Sequence, residues 1–245
     1  MKISIKTSIN YSPNFSTYRR NKKNIKYLIF HYTGMNSESK AINRLTDDRS
    51  KVSCHYFIKR NGSIILMVPE IYEAWHAGIS NWKNDRLLNK KSIGIEISNK
   101  GHQYGYQKFP KKQIKSLIKL SKFLIKKYNI EKSKILGHSD ISVDRKKDPG
   151  EKFPWKYLAK KKIGFWHKIN QNKLKKIRNV NISKVEKHEF LKCLNKVGYY
   201  MKIKKPPYQK MLVKSFQRRF RQQLINGIID KECLFIAKNI SKLVS

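Results

Sequence analysis

The dipeptide Asn61-Gly62 stands between two apolar runs and admits one local structure, a β-hairpin. Val52 to Lys59 alternates, with Cys54, Tyr56 and Ile58 on one side and His55 on the other, and Ile64 to Val68 is the return strand. Asn-Gly between two such runs is a strong short-range hairpin signal. Two further runs, Ile25 to Phe30 closed by His31, and Ser92 to Ser98, are strands by their apolar and aromatic content. From Lys111 to Tyr128, Ile114, Leu117, Ile118, Leu120, Phe123, Leu124 and Ile125 recur at helical spacing with lysines on the wet side. Pro110 suits the first turn of that helix. A shorter helix runs from Glu38 to Leu45, capped by Asn36 or Ser37. Ile135-Leu136 forms a last short strand. Strands mixed with amphipathic helices place the chain in the α/β class.

At 245 residues there is room for one sizeable domain and a small one. Residues 1–24 read as an irregular lead-in, and the first domain is expected to close by about residue 167. Residues 168–182 are polar and basic, a linker or an exposed helix. Ser183 and Glu186 form a capping box, and the helix they open is expected to stop at Gly198. Pro206-Pro207 is expected to break the chain before a helix from Met211 to Leu224, and Asp230 to cap a third helix. Residues 183–245 thus make a small all-helical domain.

The net charge is +40, from 56 Lys and Arg against 16 Asp and Glu, which suits polyanionic surroundings. The bases are spread over the whole chain and accompany abundant Ile and Asn, a pattern that coding bias also produces, so a dedicated nucleic-acid partner is not expected. Cys54, Cys193 and Cys233 are widely separated and form no CxxC, which excludes a cysteine zinc knuckle and a redox pair. Neither a recognisable signal peptide nor a stretch of transmembrane length is found, so the expected compartment is the cytoplasm, with periplasmic or secreted placement as the alternative.

The chemistry gathers in a few residues. Gly137 to Gly150 holds His138, three aspartates and a Pro-Gly turn, too many turn formers for a helix. His31, at a strand end, is a distant partner for it. Two imidazoles and a carboxylate suit Zn²⁺ with one open position, and such an ion lowers the pKa of water and polarises a carbonyl. Glu96, in an isoleucine-rich strand, belongs in the core or at a cleft edge, where a carboxylate is tuned as a general base. Lys146 is placed to stabilise a developing oxyanion. Trp75-His76-Ala77-Gly78 and Trp82 read equally as groove lining and as core anchors.

Phe30-His31-Tyr32-Thr33, Ser53-Cys54-His55-Tyr56, Trp75-His76-Ala77-Gly78, Gly94-Ile95-Glu96-Ile97, Gly137-His138-Ser139-Asp140 and Arg145-Lys146-Lys147-Asp148-Pro149-Gly150 occur in this order. Over roughly residues 20–165 the chain resembles the zinc-dependent N-acetylmuramoyl-L-alanine amidases, relatives of peptidoglycan recognition proteins. The resemblance implies a mixed central β-sheet flanked by helices. It implies Zn²⁺ on His31, His138 and Asp148, with Asp148 preferred over Asp140 and Asp144. It assigns Glu96 as acid/base and Lys146 as the carbonyl-polarising lysine. The implied reaction is hydrolysis of the amide between N-acetylmuramic acid, including its 1,6-anhydro form, and L-alanine in peptidoglycan or muropeptides. The tail from about residue 183 resembles, more loosely, a three-helix peptidoglycan-binding domain, through Phe216-Gln217-Arg218-Arg219-Phe220 and Asn226-Gly227-Ile228-Ile229-Asp230. A basic wall- or polyanion-binding module without turnover is the alternative from another class, and retained Glu96 and Lys146 argue against it.

Overall fold

A computed structural model describes residues 5–201 and 206–244. Its frame is a six-stranded sheet built from Ser8–Ile9 (β1), Tyr27–Tyr32 (β2), Tyr56–Ile58 (β3), Ile64–Leu66 (β4), Ser92–Ile97 (β5) and Ile135–Gly137 (β6). The spatial order is β1-β4-β3-β5-β2-β6. Only the expected hairpin pair, β3 with β4, is antiparallel; the other four pairings are parallel. The sheet is therefore mixed.

Helices cover both faces. On one side α2 (Lys111–Tyr128) lays Ile114, Leu117, Leu120 and Leu124 against Leu28, Phe30, Ile93, Ile95 and Ile97. The amide of buried Gln113 stitches this helix to the sheet by donating to Ile58 O and Ser98 O. Asn129, in the left-handed region at φ 50°, ends it. The helix begins one residue after Pro110, whose fixed φ serves as its lead-in. Towards the outer strands, α1 (Glu38–Thr46), capped by Ser37, packs Ala41 and Leu45 on Phe57 and Ile65.

Strand alternation sends the next residues the other way. Tyr27 and Ile29 join a core shared with α6 (Lys184–Val197), α7 (Pro206–Phe220) and α8 (Lys231–Ser241). The capping box of Ser183 with Glu186, the stop at Gly198 and the Asp230 cap are all present. Two expectations need correction. The second tail helix starts at Pro206 and not after the proline pair, because a proline in a helix's first turn forfeits no intrahelical bond; it ends at Phe220, short of Leu224. Trp155–Lys160 (α4) buries Trp155 and Leu158, and Gln171–Lys176 form a short helix (α5) capped by Asn170, with Leu174 buried. Among its described residues the lead-in is irregular apart from β1, the two-residue strand Phe15–Ser16 and a 3-10 turn at Lys22–Asn24, but it is anchored: buried Arg20 donates to Glu70 O, Asn89 O and Ser92 O.

The tail reaches the sheet through polar bonds as well as packing. Arg219 on α7, buried to 1% exposure, pairs with buried Asp140 at 2.5 Å and stacks over Trp155. Tyr199 donates to the same carboxylate at 2.7 Å, and Ser215 Oγ donates to Ser139 O at 2.6 Å. Removing one member of a buried ion pair strands the other charge, a loss of about 3–5 kcal/mol. Arg219→Met should destabilise the protein by that order in urea unfolding, and Arg219→Met with Asp140→Asn should recover part of the loss. Equal stability of wild type and Arg219→Met would show that Asp140 is adequately solvated without its partner.

Candidate metal centre and cleft

The site forms where parallel strands end. His31 pairs in register with Glu96 on the neighbouring strand, and Gly137 pairs with Phe30, so His138 emerges beside His31. Ligands in open α/β sheets collect at the carboxyl ends of strands for this reason. Along β5 the isoleucines face α2, which leaves Ser92, Gly94 and Glu96 on the opposite face, the face that carries His31.

The stretch after β6 departs from its expected loop: His138–Ile141 makes one turn of helix (α3). Its cap explains it. Asp140 Oδ2 accepts from Gly137 N–H at 2.8 Å, and the tail's Arg219 and Tyr199 hold that carboxylate in place. The chain then returns through Ser142 to Asp148, whose carbonyl accepts from Ser139 N–H at 2.8 Å. The return brings Asp148 back to His138.

His31 Nδ1 and His138 Nδ1 lie 2.9 Å apart, and Asp148 Oδ2 is 3.1 Å from each. All three residues are buried, and together they form a group able to hold a metal ion. The donor set fits a cation. His138 Nε2 donates to Ala77 O at 3.2 Å, so in the neutral ring its Nδ1 carries a lone pair that points at Asp148. Two imidazole nitrogens and a carboxylate oxygen at one point match a three-ligand zinc site with room for a fourth ligand. Asp140 is committed to Arg219 and Asp144 is exposed, so neither joins the cluster.

Burial would raise the Asp148 carboxyl, but the imidazoles of His138 and His31 outweigh it and hold the group well below the usual carboxylate range. Burial, with His138 second, lowers His31 to about 4. Glu96 behaves oppositely: burial pushes it up to about 8, Asp148 adds to the rise and Lys146 opposes it. Its Oε2 is buried and has no hydrogen-bond partner among the described residues. Lys146 is half-buried and close enough to act on both Glu96 and His31, whereas Lys147 is exposed.

Glu96, His138, Lys146, Lys147 and Asp148 open on a cavity of about 600 Å³, walled also by Tyr32, Arg44, Trp75, His102 and Tyr104. Tyr32 and Glu151 hold His102 in the cavity wall, at 2.8 and 3.0 Å. The two tryptophans divide: Trp75 lines the cavity, while Trp82 is buried against Tyr199. Sequence reasoning missed His76, which lies 3.0 Å from His31, and the tail residues that hold Asp140. The Gly94 opposite His76 was the available signal: a Cβ there would sit 2.4 Å from the imidazole.

A buried His-His-Asp cluster beside the Glu96 carboxyl, in a cleft at strand ends, is a donor set that could hold a metal ion, the arrangement that metal-assisted hydrolases use. Comparison with known proteins narrows the class. The family model for N-acetylmuramoyl-L-alanine amidase matches residues 21–151, just over half of the chain, and the chain belongs to that family. It is 37% identical over 227 residues to the N-acetylmuramoyl-L-alanine amidase AmiD of Escherichia coli, covering 87% of this chain and 81% of the relative. It is 34% identical over 167 residues to the 1,6-anhydro-N-acetylmuramyl-L-alanine amidase AmpD of Haemophilus influenzae, covering 60% and 88%. Among solved structures, E. coli AmiD in complex with the substrate anhydro-N-acetylmuramic acid-L-Ala-D-gamma-Glu-L-Lys superposes with a TM-score of 0.79 at 32% identity, over 93% of this chain and 92% of that one. The AmiD likeness therefore runs through the tail helices.

The Glu96 shift has a consequence for stability. A carboxyl raised by folding favours the fold fully below its ordinary value of 4.5 and loses that advantage as pH rises towards 8. In metal-free protein, Glu96→Gln should therefore match wild type near pH 4 and surpass it increasingly up to pH 8. Each tenfold change in proton affinity is worth about 1.4 kcal/mol. With the side chain opening on the cavity, about 1–3 kcal/mol is expected at pH 8. Parallel stability curves from urea titrations across this range would contradict the assignment.

Proposed function

We propose that this chain hydrolyses the amide between the lactyl group of N-acetylmuramic acid and L-alanine in peptidoglycan fragments, with Zn²⁺ held by His31, His138 and Asp148. The observation that carries this reading is the unpartnered Oε2 of Glu96, buried beside the His-His-Asp cluster in a chain of the amidase family. A bound Zn²⁺ would supply Lewis-acid polarisation of the carbonyl and acidify water at neutral pH.

The remaining roles fall to the chain's own side chains. Glu96, with its proton affinity set near neutrality, takes a proton from the attacking water and returns it to the departing alanine amine, since one group of intermediate pKa serves as base and then acid. Lys146 donates to the oxyanion that forms on the carbonyl oxygen. The cavity of about 600 Å³ admits a soluble muropeptide, and Arg44 and Lys147 at its lining suit the carboxylates of a peptide stem. The anhydro-muropeptide in the AmiD complex supports the 1,6-anhydro sugar as one substrate form.

Steady-state kinetics on a defined anhydro-muropeptide, with products read by mass spectrometry, tests the roles. Glu96→Gln should lower kcat by about 10²–10⁴. Lys146→Ala should lower kcat by about 10²–10³ with little change in KM. Lys147→Ala should stay close to wild type. A larger kcat loss for Lys147→Ala, or less than a threefold loss for Glu96→Gln, would overturn the assignment.

We further read residues 183–245 as a three-helix unit of peptidoglycan-binding type behind a linker at 168–182. Its support is the set of capped helices and the AmiD likeness across the whole chain. Full-length protein should sediment with insoluble sacculi at salt high enough to screen its surface charge. Retention only at low salt would reduce this binding to charge alone.

A further inference from the structure

We infer that His76 is a positioning residue for the metal centre: it accepts the Nε2 proton of His31 and so turns the Nδ1 lone pair of His31 towards the metal. The inference rests on the metal reading above and assigns a task to the Trp75-His76-Ala77-Gly78 motif.

The motif leaves the short strand Glu73–Ala74 and crosses the face of the sheet that carries His31 and Glu96. Asn89 Oδ1 pins it by accepting from His76 N–H and Ala77 N–H at 3.1 and 2.7 Å. The His76 ring, 8% exposed, lies on Gly94, where a Cβ would come within 2.4 Å of it. Any side chain at position 94 would push the ring away from His31.

Two close contacts flank the ring. His76 Nδ1 is 3.0 Å from His31 Nε2, and His76 Nε2 is 3.1 Å from Ser92 Oγ. The far end of the chain sets the direction. Ser92 Oγ donates its only proton to Leu88 O at 2.6 Å, so towards His76 it accepts. His76 Nε2 therefore carries the proton and His76 Nδ1 the lone pair. That lone pair receives His31 Nε2–H, which leaves His31 Nδ1 bare, 3.1 Å from Asp148 Oδ2.

The next residue does the same for the second ligand. Ala77 O accepts from His138 Nε2 at 3.2 Å and also from Arg145 Nη2 at 2.7 Å, filling both of its lone pairs. Adjacent positions of one loop thus orient both histidines, one through an imidazole and one through a carbonyl. Partners of this outer kind change metal affinity by about 10–100-fold when removed.

The test uses the full-length chain. In metal-free wild type labelled with ¹⁵N-histidine, long-range ¹H–¹⁵N spectra should show His31 and His76 both as Nε2–H tautomers. Zinc affinity, measured by chelator competition, should fall about 10–100-fold in His76→Leu, which fills the space without an acceptor. It should recover to within a few-fold of wild type in His76→Gln, whose side-chain carbonyl can accept from His31. Ser92→Ala should cost less than His76→Leu. An Nδ1–H tautomer at His31 in wild type, or wild-type zinc affinity in His76→Leu, would overturn the proposal, and the tautomer result stands even where a variant fails to fold. A wild-type chain that bound no zinc would instead overturn the metal reading, a failure recognisable because the tautomers are read without metal.

Discussion

Three electron-rich atoms meeting within 2.9–3.1 Å of one another are the constraint on which this structure depends. Neutral imidazoles and a carboxylate attract one another there only through a proton or a cation held between them, so the surrounding structure has to bring them together. Parallel register brings His31 beside the origin of His138. A backbone bond from Ser139 to Asp148 closes the return loop. The loop at 75–78 sets which nitrogen of each ring faces inward. Glu96 stands one strand away on the same face, turned by strand alternation from the flanking isoleucine core to the cleft and buried enough to favour its proton. The same strand alternation that builds the core therefore separates apolar from chemical faces.

The tail helices take part in this scaffold. Arg219 and Tyr199 converge on Asp140, and Asp140 caps the turn on which His138 stands. A carboxylate in that position would be costly without them, since burial of a lone charge is strongly unfavourable. The face that the helical unit turns to the sheet is committed to this support, so the wall binding proposed for it would fall to its outer surface.

Much of the fold was legible because its signals are local. The Asn61-Gly62 hairpin, the apolar stripe of the 111–128 helix and the caps at Ser183 and Asp230 each depend on residues a few positions apart. The helix beginning at Pro206 was hidden because proline breaks helix interiors but fits first turns. The turn at His138–Ile141 was hidden because its stability comes from Arg219, 79 residues beyond Asp140. Within the site, His31, His138, Glu96 and Lys146 were readable as residue types, but choosing Asp148 over Asp140 and Asp144 needed the family resemblance; the structure adds a physical reason, since Asp140 is bound to Arg219. His76 was visible only as part of the Trp75-His76-Ala77-Gly78 motif, and its task was hidden because an imidazole that orients another imidazole looks, in sequence, like any buried histidine.

The most direct test of this account is a crystal structure of the zinc-soaked protein with data collected on both sides of the zinc edge. The account predicts one anomalous peak per chain, within bonding distance of His31 Nδ1, His138 Nδ1 and Asp148 Oδ2. A peak bonded to the Nε2 atom of either histidine, or centred on Asp140, would contradict it.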